Sequence, residues 1–150
     1  MSDTTTTDAR IAAEATTGAI DREESTMRCT LLLHYPEMLG ELDEASMEAG
    51  RAAFADYAAT LHAAGVLVSG EVLQPSHATT TLREVDGALR VQDGPFADSK
   101  EQLGGTFVIE VADLDAAIEW AKRAPSVGWG AVEVRPSATH VVDGRWVGAL

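Results

Sequence analysis

The chain shows two kinds of hydrophobic pattern, short β-prone runs and stretches with helical spacing. Residues 29–33 form a short, mainly apolar run that Pro36 closes, which predicts a strand. Asp43 is a suitable N-cap for a long helix, and Gly65 stands where a left-handed residue often ends one. A helix up to Ala64 is therefore predicted. Its buried stripe would comprise Met47, Phe54, Tyr57, Ala58 and Leu61.

Further runs with strand character follow this helix. They lie at 66–72, 79–85, 88–91, 106–111 and 131–135. Asp86-Gly87 separates two of them, and Asp143-Gly144 interrupts a last run at 140–147, so both pairs predict tight hairpins. Asp113 is the expected cap of a second helix that ends before Pro125. Its apolar stripe would be Leu114, Ala117, Ile118 and Ala121.

The order of these elements predicts the fold class. Two helices are too few to cover both faces of a sheet, so we expect an α+β protein. The expected architecture is a ferredoxin-like two-layer sandwich, with an antiparallel sheet and both helices on one face. Alternation along the strands would direct one set of side chains towards the helices. That set is Leu31, Leu33, Phe107, Ile109, Val111, Val132 and Val134.

The opposite face of the sheet would then mix apolar and charged positions. It would carry Leu32, His34, Val108, Glu110, Glu133 and Arg135. A plain solvent-exposed face would tolerate this mixture. A dimer formed through the sheet would also account for it, with a polar cleft between the copies, and we expect such a homodimer because the fold leaves this face uncovered.

Composition separates the first 26 residues from the rest. Residues 1–26 hold seven threonines and six acidic residues but no aromatic residue, which predicts a disordered tail. Residues 27–150 form the expected domain, in which 136–150 add a C-terminal hairpin. The formal net charge of −13 argues against nucleic acid and anionic membranes as partners. Cys29 is the only cysteine, and no targeting segment is recognisable, so we expect a cytoplasmic protein.

The segment 93–105 combines a turn with residues that could carry chemistry. Its Asp-Gly-Pro start imposes a sharp corner, at which Asp93 can accept backbone hydrogen bonds. Asp98 and Glu101 fit a capping box, which predicts one helical turn. In one interpretation the segment is only a shaped loop between strands. In the other, Asp93 and Lys100 border a cleft, with the amides of the helical turn available to an anion.

This segment resembles the signature of the DGPF group of YCII-related proteins. The resemblance covers about 28–136 and includes 31–33, 70–75, 78–83, 113–117 and 131–136. It implies a ferredoxin-like fold of the dimeric α/β-barrel type, and a small enzyme or ligand-binding module. DGPF genes often lie beside genes for sigma factors, which implies a stress or signalling context.

The resemblance also implies a His–Asp pair, of which only the aspartate has a counterpart here. Asp93 matches it, whereas 50–53, where the histidine would stand, contains none. The four histidines, His34, His62, His77 and His140, are isolated in the sequence. The pattern contains no metal-binding motif and no nucleotide-binding motif, so we expect no cofactor.

The sequence leaves two functions open and does not decide whether the protein is an enzyme. The first is binding or conversion of a small polar molecule in a dimer-interface cleft, with Asp93 as the catalytic acid–base group. The ligand-binding candidates are Glu71, Arg83, Phe96, Lys100, Glu110 and Arg135. The alternative is a non-catalytic regulatory module linked to sigma-factor or stress signalling.

Overall fold

The computed structural model describes residues 25–38 and 40–148. The predicted tail, 1–26, therefore lies outside the described residues except for its last two positions. The helices are α1 (Glu44–Ala63) and α2 (Leu114–Ala121). The strands are β1 (Met27–Pro36), β2 (Leu67–Val72), β3 (Thr80–Val85), β4 (Ala88–Asp93), β5 (Glu101–Val111), β6 (Ala131–Pro136), β7 (His140–Val142) and β8 (Arg145–Val147).

Four strands form the main sheet, in the order β2-β5-β1-β6, and each neighbouring pair is antiparallel. With α1 after β1 and α2 after β5, this is the β-α-β-β-α-β arrangement of a ferredoxin-like sandwich. The predicted α+β class and fold are confirmed. β3 with β4, and β7 with β8, form two separate hairpins outside the main sheet.

The core lies between the sheet and the two helices, as the alternation predicted. Leu31 pairs with Phe107 on one side and Val134 on the other, and Leu31 is fully buried. Tyr57 of α1 packs edge-on against Phe107, with ring centroids 5.2 Å apart. The Tyr57 hydroxyl donates a 2.8 Å hydrogen bond to the carbonyl of Trp120, which ties α1 to α2.

Local signals in the sequence fix the ends of several elements. The Asp43 side chain accepts from the amide of Ser46, and that of Asp113 accepts from the amide of Ala116, both at 2.8 Å. These bonds satisfy amides that a helix start leaves free. Asp86 and Gly87 have φ of 52° and 74°, the left-handed values that a tight hairpin turn needs. Both N-caps and this hairpin are confirmed.

Two local predictions are wrong. No helical turn forms at Asp98. Instead, the Gln102 side chain donates to the carbonyls of Ala97 and Ser99, which holds the loop in an irregular shape. β5 begins at Glu101, five residues earlier than expected, because a β-bulge at Gly104 lets the glycine pair continue the strand beside β1.

The predicted apolar stripes are also only partly buried. Ala117 and Ala121 face the core from α2, whereas Leu114 and Ile118 are exposed. In α1, Tyr57 and Leu61 are buried, but Met47 is exposed. In α2, which spans barely two turns, Ala117 and Ala121 are buried in the core and Trp120 packs against it partly buried.

Candidate functional site

A large cleft opens between the first half of α1 and the end of β2, and we call it the α1–β2 cleft. The end of β1 and the loop after it form its floor and one end. Its volume is about 1240 Å³. Its lining is mainly apolar and includes Met47, Phe54, Val72, Leu73, Phe107 and Trp129.

Glycines on both sides make room for this cleft. Gly70 of β2 pairs with Phe107 of β5, and a Cβ at position 70 would lie 2.7 Å from the Phe107 ring. The ring therefore occupies space that any side chain at 70 would need. On the opposite wall, a Cβ at Gly50 would lie 3.6 Å from the Trp129 ring, an ordinary contact. Bulk at position 70 would thus disturb the wall, whereas a methyl group at position 50 fits.

Three aromatic rings form one end of the cleft. The ring centroids of Tyr35, Phe54 and Trp129 are 6.2–6.4 Å apart, and Phe54 and Trp129 are stacked. Trp129 is 48% exposed, so much of its surface is free to contact a ligand. Burial, and secondarily the charge of Glu37, raise the pKa of Tyr35. Its hydroxyl stays protonated and donates to the carbonyl of Gly104 at 3.1 Å.

Two charged side chains of the cleft, Glu37 and Arg51, already have partners. Ser76 donates from its amide and its hydroxyl to the two carboxylate oxygens of Glu37, each at 2.5 Å. This pair of hydrogen bonds between Glu37 and Ser76, called the clasp below, joins the loop after β1 to the loop after β2. The Arg51 guanidinium contacts Glu48 at 2.7 Å and Glu44 at 3.0 Å, and these hydrogen bonds raise the pKa of Arg51. The cleft is therefore suited to bind through apolar and aromatic contact.

Four of the predicted site residues lie on the β3–β4 hairpin and in the loop that follows it. Asp93 ends β4, where it pairs with Thr80 and is exposed. The guanidinium carbon of Arg83 lies 5.1 Å from the ring centroid of Phe96, which is 72% exposed. Lys100 is exposed just before β5. The structure brings Arg83 and Phe96 together, but none of these four lines the α1–β2 cleft.

Glu71 and Glu110 belong to the other face of the main sheet. Glu71 pairs with Thr106, a position whose side chain points away from the helices, so its backbone rather than its carboxylate borders the cleft. Thr26 donates to Glu110 at 2.8 Å, and Arg28 forms an ion pair with it at 3.0 Å. The hydrogen bond from Thr26, followed by that from Arg28, lowers the pKa of Glu110.

Arg135, the last predicted ligand-binding residue, is also on this open face. One of its guanidinium nitrogens lies 3.4 Å from Glu133. The other carboxylate oxygen of Glu133 is 2.7 Å from Nε2 of His34, a close contact that lacks the alignment of a good hydrogen bond. The open face therefore carries separate ion pairs, and it does not bring Arg135 and Glu110 to one point with Asp93.

Neither the cleft nor most of the residues that form it was predicted from the sequence. The sequence predicts Met47 and Phe54 as members of a buried stripe and gives Trp129 no functional role. One signal was present: Gly50 and Gly70 stand inside a helix and a strand, where a glycine often marks a close approach or a space.

Comparison with known proteins agrees with this fold. The model of the YCII-related domain matches residues 27–138. An uncharacterised protein from Rhizobium meliloti (strain 1021) is 43% identical over 70 residues, which cover 45% of this chain and 56% of that protein. The aligned region thus spans little more than half the length of that relative. In the described part of the chain, no helix is both long and apolar enough to cross a bilayer. The chain belongs to the YCII-related family.

Proposed function

We propose that this protein, as a member of the DGPF group, binds a small and largely apolar molecule in the α1–β2 cleft. The size and lining of the cleft carry the proposal: about 1240 Å³, bordered by Phe54, Phe107 and Trp129. Pockets for small ligands are typically apolar, with a few fixed polar groups; the cleft exceeds their usual volume of about 300–1,000 Å³ and so has room for such a ligand. The clasp between Glu37 and Ser76 would serve as such a fixed group.

Binding without turnover fits the polar groups of the cleft. A general acid or base must have a proton or a lone pair free for the substrate. Here the Tyr35 hydroxyl already donates to Gly104 and Arg51 is held by two glutamates, while Glu37 accepts one hydrogen bond from Ser76 on each oxygen and is thereby fixed as an acceptor. A non-catalytic module that senses a ligand, the regulatory alternative, requires the same property.

The earlier hypothesis of a polar ligand on the open face, with Asp93 as catalyst, has less support. Glu110 and Arg135 are engaged in ion pairs there, and Asp93 is exposed on the hairpin. The open face does support a homodimer, because it carries the apolar side chains of Leu32 and Val108, which the described chain buries only in part. Light scattering should give a mass of two chains at micromolar concentration, and the mass of one chain would contradict the dimer.

Nile red, a neutral apolar dye, tests ligand binding in the cleft. Leu73→Asp places a charge on the cleft lining at an exposed position, so folding should be little affected. Val141→Asp is the matched control, because Val141 is similarly exposed on β7, outside the cleft. We expect the dye to bind the wild type and the control equally, and Leu73→Asp at least tenfold more weakly. Equal binding to both variants would contradict the proposal.

A further inference from the structure

The carboxylate of Glu37 has hydrogen-bond partners in the α1–β2 cleft but no cationic one. Glu37 lines the cleft and is half-buried, and it forms no ion pair among residues 25–38 and 40–148. Ser76 donates one hydrogen bond to each of its oxygens, whereas a carboxylate has about four positions at which it can accept. Withdrawing a charge from water is costly unless a partner compensates it. A cationic donor on a bound molecule would compensate Glu37.

The rest of the cleft lining supplies no free positive charge. Arg51 is the one basic residue in the lining formed by the described chain. Its guanidinium contacts Glu44 at 3.0 Å and Glu48 at 2.7 Å, so two negative charges surround one positive charge. The whole chain has a formal net charge of −13, which concentrates small cations near its surface. The charges around the cleft therefore favour a cationic ligand over an anionic one.

Trp129 provides a second feature that selects a cation. The faces of aromatic rings attract cations, and the indole ring does so most strongly. Trp129 lines the cleft and is 48% exposed, and its ring centroid is 6.3 Å from that of Tyr35. Burial first, and the charge of Glu37 second, raise the pKa of Tyr35, so the Glu37 carboxylate acts on this end of the cleft. A cation bound there would meet an indole surface and a carboxylate together.

We propose that the ligand of the α1–β2 cleft is an organic amine with an apolar body, bound as its ammonium ion. The ammonium group donates to Glu37 beside the Trp129 ring, and the apolar body contacts lining residues such as Val72 and Phe107. This inference rests on the proposed function, because it names the chemical class of the same ligand. The cleft volume of about 1240 Å³ leaves ample room for the apolar body of such an amine.

Isothermal titration calorimetry at pH 7 compares two probes with the same hydrocarbon chain, octylammonium and 1-octanol. We expect the wild type to bind octylammonium about tenfold more tightly, because a charge-assisted hydrogen bond and a cation–π contact add to the same apolar burial. Glu37→Gln keeps an acceptor for Ser76 but removes the charge, so it should weaken octylammonium binding about fivefold and leave 1-octanol unchanged.

Glu41→Gln is the matched control, because Glu41 is exposed between β1 and α1 and does not line the cleft. We expect this variant to bind both probes like the wild type. Equal losses of octylammonium affinity in Glu37→Gln and Glu41→Gln would overturn the inference, since general attraction by an acidic chain would then explain the binding.

Trp129→Leu tests the inference without altering the clasp. It keeps an apolar side chain but removes the indole face, so it should weaken octylammonium binding about threefold and 1-octanol binding clearly less. Equal weakening of both probes would contradict a cation at Trp129. If the wild type binds 1-octanol but binds octylammonium no more tightly, only the inferred ligand class is refuted. If neither probe binds and Leu73→Asp leaves Nile red binding unchanged, the proposed function itself is refuted.

Discussion

Tyr57 links the two helices, and its removal should destabilise the fold in a pH-dependent way. Tyr57→Phe deletes the hydroxyl that donates to the Trp120 carbonyl at 2.8 Å. The lost hydrogen bond and the unsatisfied carbonyl together should lower the free energy of unfolding by about 1–2 kcal/mol at pH 8. The ring keeps its packing against Phe107, so the native fold should persist.

The stability of the protein at alkaline pH gives a second, independent readout of the buried Tyr57 hydroxyl. Burial raises the pKa of Tyr57 to about 12, although Arg123 opposes the shift. A tyrosine in the unfolded chain titrates near pH 10. Between these values the unfolded state loses its proton first, so the wild type loses stability as the pH rises from about 10 to 12. Two pKa units correspond to about 2.7 kcal/mol, which water near the hydroxyl reduces to about 1–2 kcal/mol.

Urea unfolding followed by circular dichroism at pH 8, 10 and 11 measures both effects. The difference between wild type and Tyr57→Phe should be largest at pH 8 and shrink at pH 11, because the variant lacks the titrating group. Tyr35→Phe is the matched control, since it leaves Tyr57 in place and retains its alkaline loss. A difference that stays constant from pH 8 to pH 11 would refute the argument about the buried hydroxyl.

Further substitutions test the local geometry in denaturation experiments. Gly50→Ala should raise the free energy of unfolding by about 0.5–1 kcal/mol, because the methyl group meets only an ordinary contact and alanine favours the helix. A lower free energy of unfolding would show that the cleft wall at position 50 is too tight for a methyl group. Asp113→Ala should cost about 1 kcal/mol by removing the cap, and Asp115→Ala clearly less. Asp93→Asn should cost about 1 kcal/mol or less. Gly94→Val should cost more, because Gly94 has a φ of 97°; the reverse order would contradict the role of the turn.

The fold was predictable because its signals are local and agree with one another. Asp86-Gly87 encodes its turn within four residues, and Asp43 caps α1 through a contact three residues away. Alternation along β1 then decides which side chains face the helices. The wrong prediction of a helical turn at Asp98 has the same origin, since a capping box describes only local preference. Pairing of β5 with β1 overrides that preference over the following residues.

The candidate site was not predictable in the same way. Tyr35, Phe54 and Trp129 are far apart in the sequence, and only the packing of β1, α1 and the loop before β6 brings their rings together. The cleft also depends on missing side chains, at Gly50 and Gly70, and empty space leaves no periodic pattern. The residues that did look functional, such as Asp93, are exposed on a hairpin that is separate from the main sheet.

The central position of β1 has a consequence for biosynthesis. β1 is the first strand of the fold to leave the ribosome, yet both of its neighbours, β5 and β6, are made much later. At translation rates of about 5–20 residues per second, Leu31 waits roughly 4–15 s before Phe107 is synthesised. During that interval the apolar run 31–33 has no strand partner, so it is the natural segment for a chaperone to shield on the nascent chain.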